Sequence, residues 1–380
     1  MDILNEEVSS AMYEAAMESV PRSKGKMKRK AVPWWTEQCG KAVKQRNKAF
    51  RELKRTHNFQ NLIQYKRAQA IVRRTIRQAK KTSWQAFCEK IGRTTPIGEV
   101  WGMIKKMGGN RREWDYPVLK ENDEEAVADK DKAEMMVKAF VKVHSSGNLS
   151  EDGKRGREQT MREHNGALGR KECNGNILDA PFTVQEMKRA IGKSKNTSPG
   201  KDQICYVMMK HLGVIGSSKL LSLYNKVWQE GKLPVRWKEA VIIPIRKPGK
   251  DPTKPTSYRP IALTSHMCKI MERMITERLT HYLESKGIIA RYQSGFRKGR
   301  GTMDPVVCLE ADVRKAFSNK ESVVAVFFDV EKAYDMMWKE GLLIRLHVAG
   351  VGGRVFNWIK DFLFGGAIQV KVGSELSSKQ

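Results

Sequence analysis

The run Val323-Val324-Ala325-Val326-Phe327-Phe328, followed at once by Asp329, is the feature that most restricts what this chain can become. Six consecutive apolar residues, mostly β-branched or aromatic, predict a strand buried on both faces, and such a strand needs a sheet covered on both sides. A bare carboxylate at its end is unfavourable unless something compensates it. Two compensations are open. Asp329 can cap a helix that the pattern starts near Glu331, or it can bind a divalent cation, since Mg²⁺ prefers hard oxygen ligands. Carboxylates so placed serve two-metal phosphoryl transfer. On this segment alone the capping reading carries more weight.

The surrounding pattern defines three regions: residues 1–115, basic and helical; residues 116–180, a mixed connecting segment expected to be partly disordered; and residues 181–380, where helices alternate with short apolar strands. The last makes the fold class α+β. Thr183-Val184-Gln185-Glu186 opens it as a capping box. The loop Ser198-Pro199-Gly200-Lys201-Asp202 contains Gly-Lys, but Gly192 precedes Gly200 by eight positions rather than five, which excludes a P-loop. Ala240-Val241-Ile242-Ile243-Pro244-Ile245 predicts a buried strand, with Pro244 at an edge or bulge. A turn-rich basic loop follows, and then Ser257-Tyr258-Arg259-Pro260-Ile261. Lys247, Lys250 and Arg259 are suited to a triphosphate, lysine as a mobile point charge and arginine as a bidentate donor.

A helix is expected from about 265 to 286, ended by Gly287, with Met267, Met271 and Met274 as core filler. In Gln293-Ser294-Gly295-Phe296-Arg297-Lys298-Gly299-Arg300 the glycines permit close backbone approach and the cations favour phosphates. Ala367–Gly373 reads as a strand entering a hairpin.

Charge is the strongest bulk signal. Lys and Arg number 71 against 42 Asp and Glu, giving a net +29, a field that attracts polyanions, of which nucleic acid is the usual one inside a cell. Between Lys41 and Lys81 there are fourteen Lys or Arg and one acid, Glu52. A solvated helix face normally mixes signs; here a phosphate backbone is the natural neutraliser, so Arg73, Arg74 and Arg77 are candidate nucleic-acid contacts. Thr36 is the expected N-cap of the first basic helix, and His57-Asn58 marks the break before the second. The second helix's apolar positions Leu62, Tyr65, Val72, Ile76, Ala79, Phe87 and Ile91 form one stripe. The acidic run Asp123-Glu124-Glu125 reads as a solvated loop or helix start. Six scattered cysteines without a CxxC pair argue against a zinc site or disulfide framework. No apolar stretch approaches the roughly 20 residues of a membrane span, and an acidic start without a basic n-region argues against a secretory signal. The expected location is intracellular, cytoplasm and nucleus.

Taken in order, Ser-Pro-Gly-x-Asp, strand plus Lys-Pro-Gly-Lys, Ser-Tyr-Arg-Pro-Ile, Gln-x-Gly-Phe-Arg and Phe-Asp-x-x-Lys-Ala-Tyr-Asp resemble the N-terminal half of a non-LTR (LINE-like, jockey-like) retrotransposon reverse transcriptase. The likeness is strongest over residues 181–380. Upstream it is weaker, where Pro33-Trp34-Trp35 and the basic helices resemble the linker that precedes the polymerase in such elements. The resemblance implies a right-hand polymerase, fingers and partial palm, preceded by an α-helical basic linker. It implies an RNA-directed DNA polymerase that adds dNTPs on an RNA template and DNA primer or target, with Mg²⁺ or Mn²⁺ in the complete active site and no membrane partner. Asp329 matches the first metal-binding aspartate, with the Val330 carbonyl as second ligand. Tyr334 matches the bulky residue beneath the nucleotide sugar, which a 2′-OH would strike. Lys247 or Lys250, with Arg259, match the residues that hold the triphosphate. Gln293, Gly295, Phe296, Arg297 and Arg300 fall in the template-path segment, and Asp335 belongs to the signature in a structural role.

The family's strand turn with two adjacent aspartates has no counterpart here: after Asp335 the only acids are Glu340, Asp361 and Glu375. A single Asp cannot organise a two-metal site. The chain is therefore expected to be inactive alone, and the second reading is a non-catalytic RNA- or DNA-binding remnant of such an element.

Overall fold

A computed structural model describes residues 1–20, 32–92, 95, 97–108, 116–122, 124–143, 149–169, 177–330, 333–334 and 336–380. The chain divides into two compact units, one of Met1–Pro21 with Tyr116–Gln380 and one of Arg22–Asp115. The first helix, α1 (Asp2–Ser19), therefore belongs to the larger unit. The sequence-based grouping of residues 1–115 did not separate it, because its basic neighbours dominate the composition.

The smaller unit is built on α2 (Glu37–Thr56), α3 (Phe59–Cys88) and α4 (Ile97–Gly108). Thr36 caps α2, its hydroxyl accepting from the Cys39 amide at 3.3 Å. His57 turns left-handed at φ 47, and the Asn58 side chain accepts from the Gln60 amide at 2.9 Å to start α3. The predicted break lies where the sequence placed it. The predicted stripe is only partly covered: Val72 is buried, Leu62, Tyr65, Ile76, Ala79 and Phe87 are half-buried, and Ile91 is exposed. Two helices bury little more than the seam between them, marked by the Phe50 and Tyr65 rings at 5.2 Å.

In the larger unit a short antiparallel ribbon, β1 (Leu119–Glu121) and β2 (Glu124–Ala126), precedes α5 (Asp129–Val143) and α6 (Glu151–Glu163). Then come α7 (Val184–Gly192), α8 (Tyr206–Lys210), α9 (Val214–Glu230), β3 (Glu239–Arg246), β4 (Tyr258–Leu263) and α10 (His266–Ser285). The chain continues through α11 (Met303–Ser318), α12 (Lys339–Val348), α13 (Gly353–Leu363), β5 (Ala367–Val372) and β6 (Glu375–Leu376). The capping box at Thr183 and Glu186 is formed, Ser265 caps α10, and Gly231, Gly287 and Gly373 take the positive φ that their helix ends and hairpin require.

The sheet runs β4-β3-β5-β6, with β3 antiparallel to β4 and parallel to β5. Pro244 thus sits in a central strand, not at an edge. Pairing with β5 ends at Ile242, so the missing proline N–H falls where no neighbour needs it. One face of the sheet, through Ile242, Tyr258, Val370 and Val372, packs on Met136 and Phe140 of α5 and on Leu119. The other core joins α1, α7, α9, α10 and α13 around Tyr224, Trp228, Trp237, Met267, Ile270 and Phe356. Met267, Met271 and Met274 are all core residues, as expected.

One expectation is refined and one corrected. Within residues 116–180, α5 supplies five of the twelve buried residues of the core under the sheet, and α6 forms further along the segment. The Ser150 hydroxyl caps α6, and the i,i+3 pairs Lys154–Glu151 and Arg155–Asp152 line it. The correction concerns the segment Val323–Val330, which forms no strand. It is irregular chain with Phe327 82% and Phe328 90% exposed. A strand apolar on both faces needs neighbours on both sides, and none of the described strands pairs with it.

Arg278 of α10 joins the elements around α7. Its guanidinium grips the Glu186 carboxylate at 2.7 and 2.9 Å, donates to the carbonyls of Ala180 and Pro181, and lies over the Phe182 ring at 4.4 Å. Burial pushes the Glu186 carboxyl up, but hydrogen bonds from Arg278 and Thr183 outweigh it and hold the group below its usual value of 4.5. A depressed carboxyl contributes stability that is present above the unfolded pKa and is lost as pH falls through the lower folded one. The urea midpoint should therefore drop as the pH is lowered below about 4.5, and Glu186→Gln should flatten that drop. At α1, the Trp237 indole donates to Asn5 Oδ1 at 2.8 Å inside the core. Asn5→Ala strands that N–H and should destabilise the larger unit by about 1–3 kcal/mol in urea unfolding followed by tryptophan emission.

Candidate nucleotide and nucleic-acid site

The β3–β4 hairpin brings the three candidate triphosphate ligands to one end of the sheet. Ile245 pairs with Arg259 and Arg246 with Tyr258, and the loop beyond is closed by the Lys247 amide donating to the Ser257 carbonyl at 2.8 Å. Asp251 folds the loop tip. Its carboxylate accepts from the Thr253 amide and hydroxyl at 3.0 and 2.7 Å, which holds it below the ordinary carboxylate range. Tyr258 anchors the loop by donating to the Pro252 carbonyl at 2.7 Å. Gly249 at φ 73 makes the turn that a side chain would resist.

This geometry separates the two lysines that the sequence left as alternatives. The Lys247 ammonium donates to the Thr256 carbonyl of its own loop at 2.9 Å. Lys250 and Arg259 are exposed, and neither pairs with a carboxylate among the described residues. Of the three candidates, two are exposed cations without a carboxylate partner among the described residues and one is engaged.

The 293–300 segment folds on itself beside the end of α10. Gln293 donates to the Gly295 carbonyl at 3.2 Å. Phe296 has φ 61 and stands 91% exposed. Arg297 pairs bidentately with Glu284, at 2.8 and 2.5 Å, and also donates to the carbonyls of Ala290 and Gln293. These bonds depress the Glu284 carboxyl and raise the guanidinium. Arg297 therefore clamps the loop to α10, while Arg300 is left exposed.

Asp329, Val330 and Tyr334 lie on the exposed stretch after α11, with Tyr334 78% exposed. Glu331, Lys332 and Asp335 lie outside the described residues. No group of three or more His, Cys, Asp or Glu among the described residues could hold a metal ion. One carboxylate and one carbonyl do not fit a two-cation centre.

On α3, Arg73, Arg74 and Arg77 are exposed. Among the described residues of α2 and α3 the only ion pairs are Lys41–Glu37 and Arg55–Glu52, so these helices relieve little of their excess charge among the described residues.

Sequence reasoning missed how the Ser198–Asp202 loop is seated. A side chain at Gly200 would collide with the Thr264–Ser265 backbone, and Lys201 reaches Glu239 at 3.2 Å, which Lys379 also pairs at 2.6 Å. His266 is fully buried there, stacked on Tyr206 at 3.8 Å, with Nε2 against the Thr197 hydroxyl at 3.1 Å. The adjacent Pro199-Gly200 was the available signal of close backbone approach.

Comparison with known proteins bears on the same region. Residues 245–380 match the reverse transcriptase (RNA-dependent DNA polymerase) family. The chain is 37% identical over 167 residues to a probable RNA-directed DNA polymerase from transposon BS of Drosophila melanogaster, covering 44% of this chain and 18% of that protein. It is 35% identical over 178 residues to the RNA-directed DNA polymerase from mobile element jockey of the same organism, covering 44% and 19%. A putative 115 kDa protein in type-1 retrotransposable element R1DM, also of Drosophila melanogaster, is 25% identical over 303 residues, covering 79% and 26%. The matches thus span only about a fifth to a quarter of these relatives. Residues 245–380 thus match the reverse transcriptase family, and the chain is similar over part of its length to RNA-directed DNA polymerases of mobile elements.

Proposed function

We propose that this chain is part of an RNA-directed DNA polymerase of a non-LTR retrotransposon, with residues 181–380 forming fingers and part of the palm and the basic helices forming the linker that precedes them. The observation that carries the reading is the β3–β4 hairpin, whose end presents Lys250 and Arg259 as unpaired cations inside the matched region. Such a pair suits the polyphosphate of a dNTP, the arginine by two parallel hydrogen bonds and the lysine by charge. Phe296, exposed and next to Gln293 and Gly295, suits stacking on a template base. Arg300 is an exposed cation of that segment suited to a template phosphate. Tyr334 would meet a ribose 2′-OH and so favour deoxynucleotides.

Reverse transcriptases use divalent metal ions and bind a nucleic-acid template and primer. Asp329 with the Val330 carbonyl would supply ligands to one Mg²⁺ or Mn²⁺ of the complete centre, where the cation neutralises charge on the transferring phosphoryl group. This chain's own contribution is to bind the nucleotide and strand and to orient them.

The reading has consequences that can be measured. Titration calorimetry with a dNTP should show about tenfold weaker binding for Lys250→Ala and for Arg259→Ala, equivalent to about 1.4 kcal/mol each. Lys247→Ala should change it less, because that ammonium is held by Thr256. Equal losses at all three positions would contradict the assignment. Primer extension on an RNA template by the 380-residue chain should give no product, and robust synthesis would show that one aspartate suffices. For the basic helices, replacing Arg73, Arg74 and Arg77 by Glu should weaken RNA binding and reduce the slope of log affinity against log salt by about 2–3. An unchanged slope would remove these residues from the binding surface.

A further inference from the structure

The smaller unit contains a cleft of about 770 Å³ between the start of α2, the C-terminal half of α3 and α4. That volume lies within the ~300–1,000 Å³ typical of ligand pockets. The cleft exists because α3 turns small side chains toward it: Ala79, Ser83 and Ala86, with Thr75 and Thr82 beside them. Trp34, Phe87 and Met103 give it apolar surfaces. Trp34 is fixed by its indole donating to the Met107 carbonyl at 3.0 Å, and the Lys80 ammonium lies over its ring at 4.7 Å. Among the described residues, Arg74 and Lys90 are the charged lining residues, and no carboxylate lines the cleft.

These groups sort by the part of a ligand each would meet. Aromatic and apolar surfaces accept the face of a heterocycle, and hydroxyls with the amides of Gln38 and Gln78 can bond its edge. Arg74 and Lys90 are placed for flanking phosphates, within a helical pair whose cations are largely unpaired. A base in a duplex is stacked and paired and cannot enter a concavity, whereas an unpaired base can be splayed into it. We infer that this cleft holds one unpaired nucleotide of a single-stranded nucleic acid, so that the basic helices prefer single strands to duplexes. The inference rests on the reading of these helices as a nucleic-acid surface and adds to it a specific subsite.

The test is fluorescence anisotropy on the full chain with labelled oligouridine, oligodeoxythymidine and a blunt RNA duplex of the same length. Ala79→Leu with Ala86→Leu fills the cleft while keeping strong helix formers, and helicity is checked by circular dichroism. The double variant should bind both single strands about tenfold more weakly, with an unchanged salt slope and unchanged duplex affinity. Charge reversal at Arg73 and Arg77, which do not line the cleft, should weaken strand and duplex alike. If charge reversal weakens both while filling the cleft alters neither, the subsite is refuted and the basic surface stands. If neither variant has an effect, both readings fall. A 4-thiouridine strand provides a check that does not depend on the folding of any variant: its photo-cross-links should map to Trp34, Phe87 or Met103, and cross-links confined to other residues overturn the inference.

Discussion

The larger unit depends on what one guanidinium does. Arg278 is largely buried, and a buried cation without partners would be severely unfavourable. It is satisfied only if the capping-box glutamate of α7 and the carbonyls of residues 180 and 181 meet it together. That requirement fixes the chain entering α7. The same stretch carries Asp179, whose backbone carbonyl and carboxylate accept from Arg354 at the start of α13, and Ala180, whose carbonyl accepts from the Trp228 indole of α9 at 3.2 Å. Four helices are thus brought to register by one irregular segment of backbone, and the apolar core fills the space they define.

Much of this frame was legible in advance because its signals are local. A hydroxyl three residues before an acid, a glycine after a periodic stretch and an apolar run between turns each determine a backbone state by contacts within a few residues. Thr183, Gly287 and the strand at 240–245 behaved accordingly. The element that misled is the one whose stability is non-local. Val323–Phe328 has the composition of a central strand, but composition cannot supply the neighbours that a strand must pair with. In the four-stranded sheet, β4 forms one edge and the β6 hairpin the other, and neither pairs with this segment. Pro244 shows the converse. It looked like an edge residue and proved central, because β5 stops pairing two residues earlier.

The candidate site divides along the same line. Charge was readable as charge, but which cations are available was not, since that depends on partners distant in sequence or on loop closure. Arg297 and Lys247 read as binding residues, and the fold uses both as clamps, one on Glu284 and one on its own loop. Lys250 and Arg259 differ from them in having no carboxylate partner among the described residues. Sequence also gave no sign that Ala79, Ser83 and Ala86 share a concavity with Trp34, because helical periodicity identifies a face but not what stands opposite it.

The docking of α1 bears on when this protein can finish folding. Asn5 meets Trp237 across 232 residues of sequence, and the whole Arg22–Asp115 unit is threaded between α1 and the rest of its own unit. At synthesis rates of ~5–20 residues per second, α1 would wait roughly 10–50 s after emerging before its partner exists. Val8 and Met12 are without their core during that interval, while the local contacts of α2 and α3 can already form. The basic helices are therefore in a position to be ordered, and to meet a polyanion, while the unit that carries the region matched to reverse transcriptases is still incomplete.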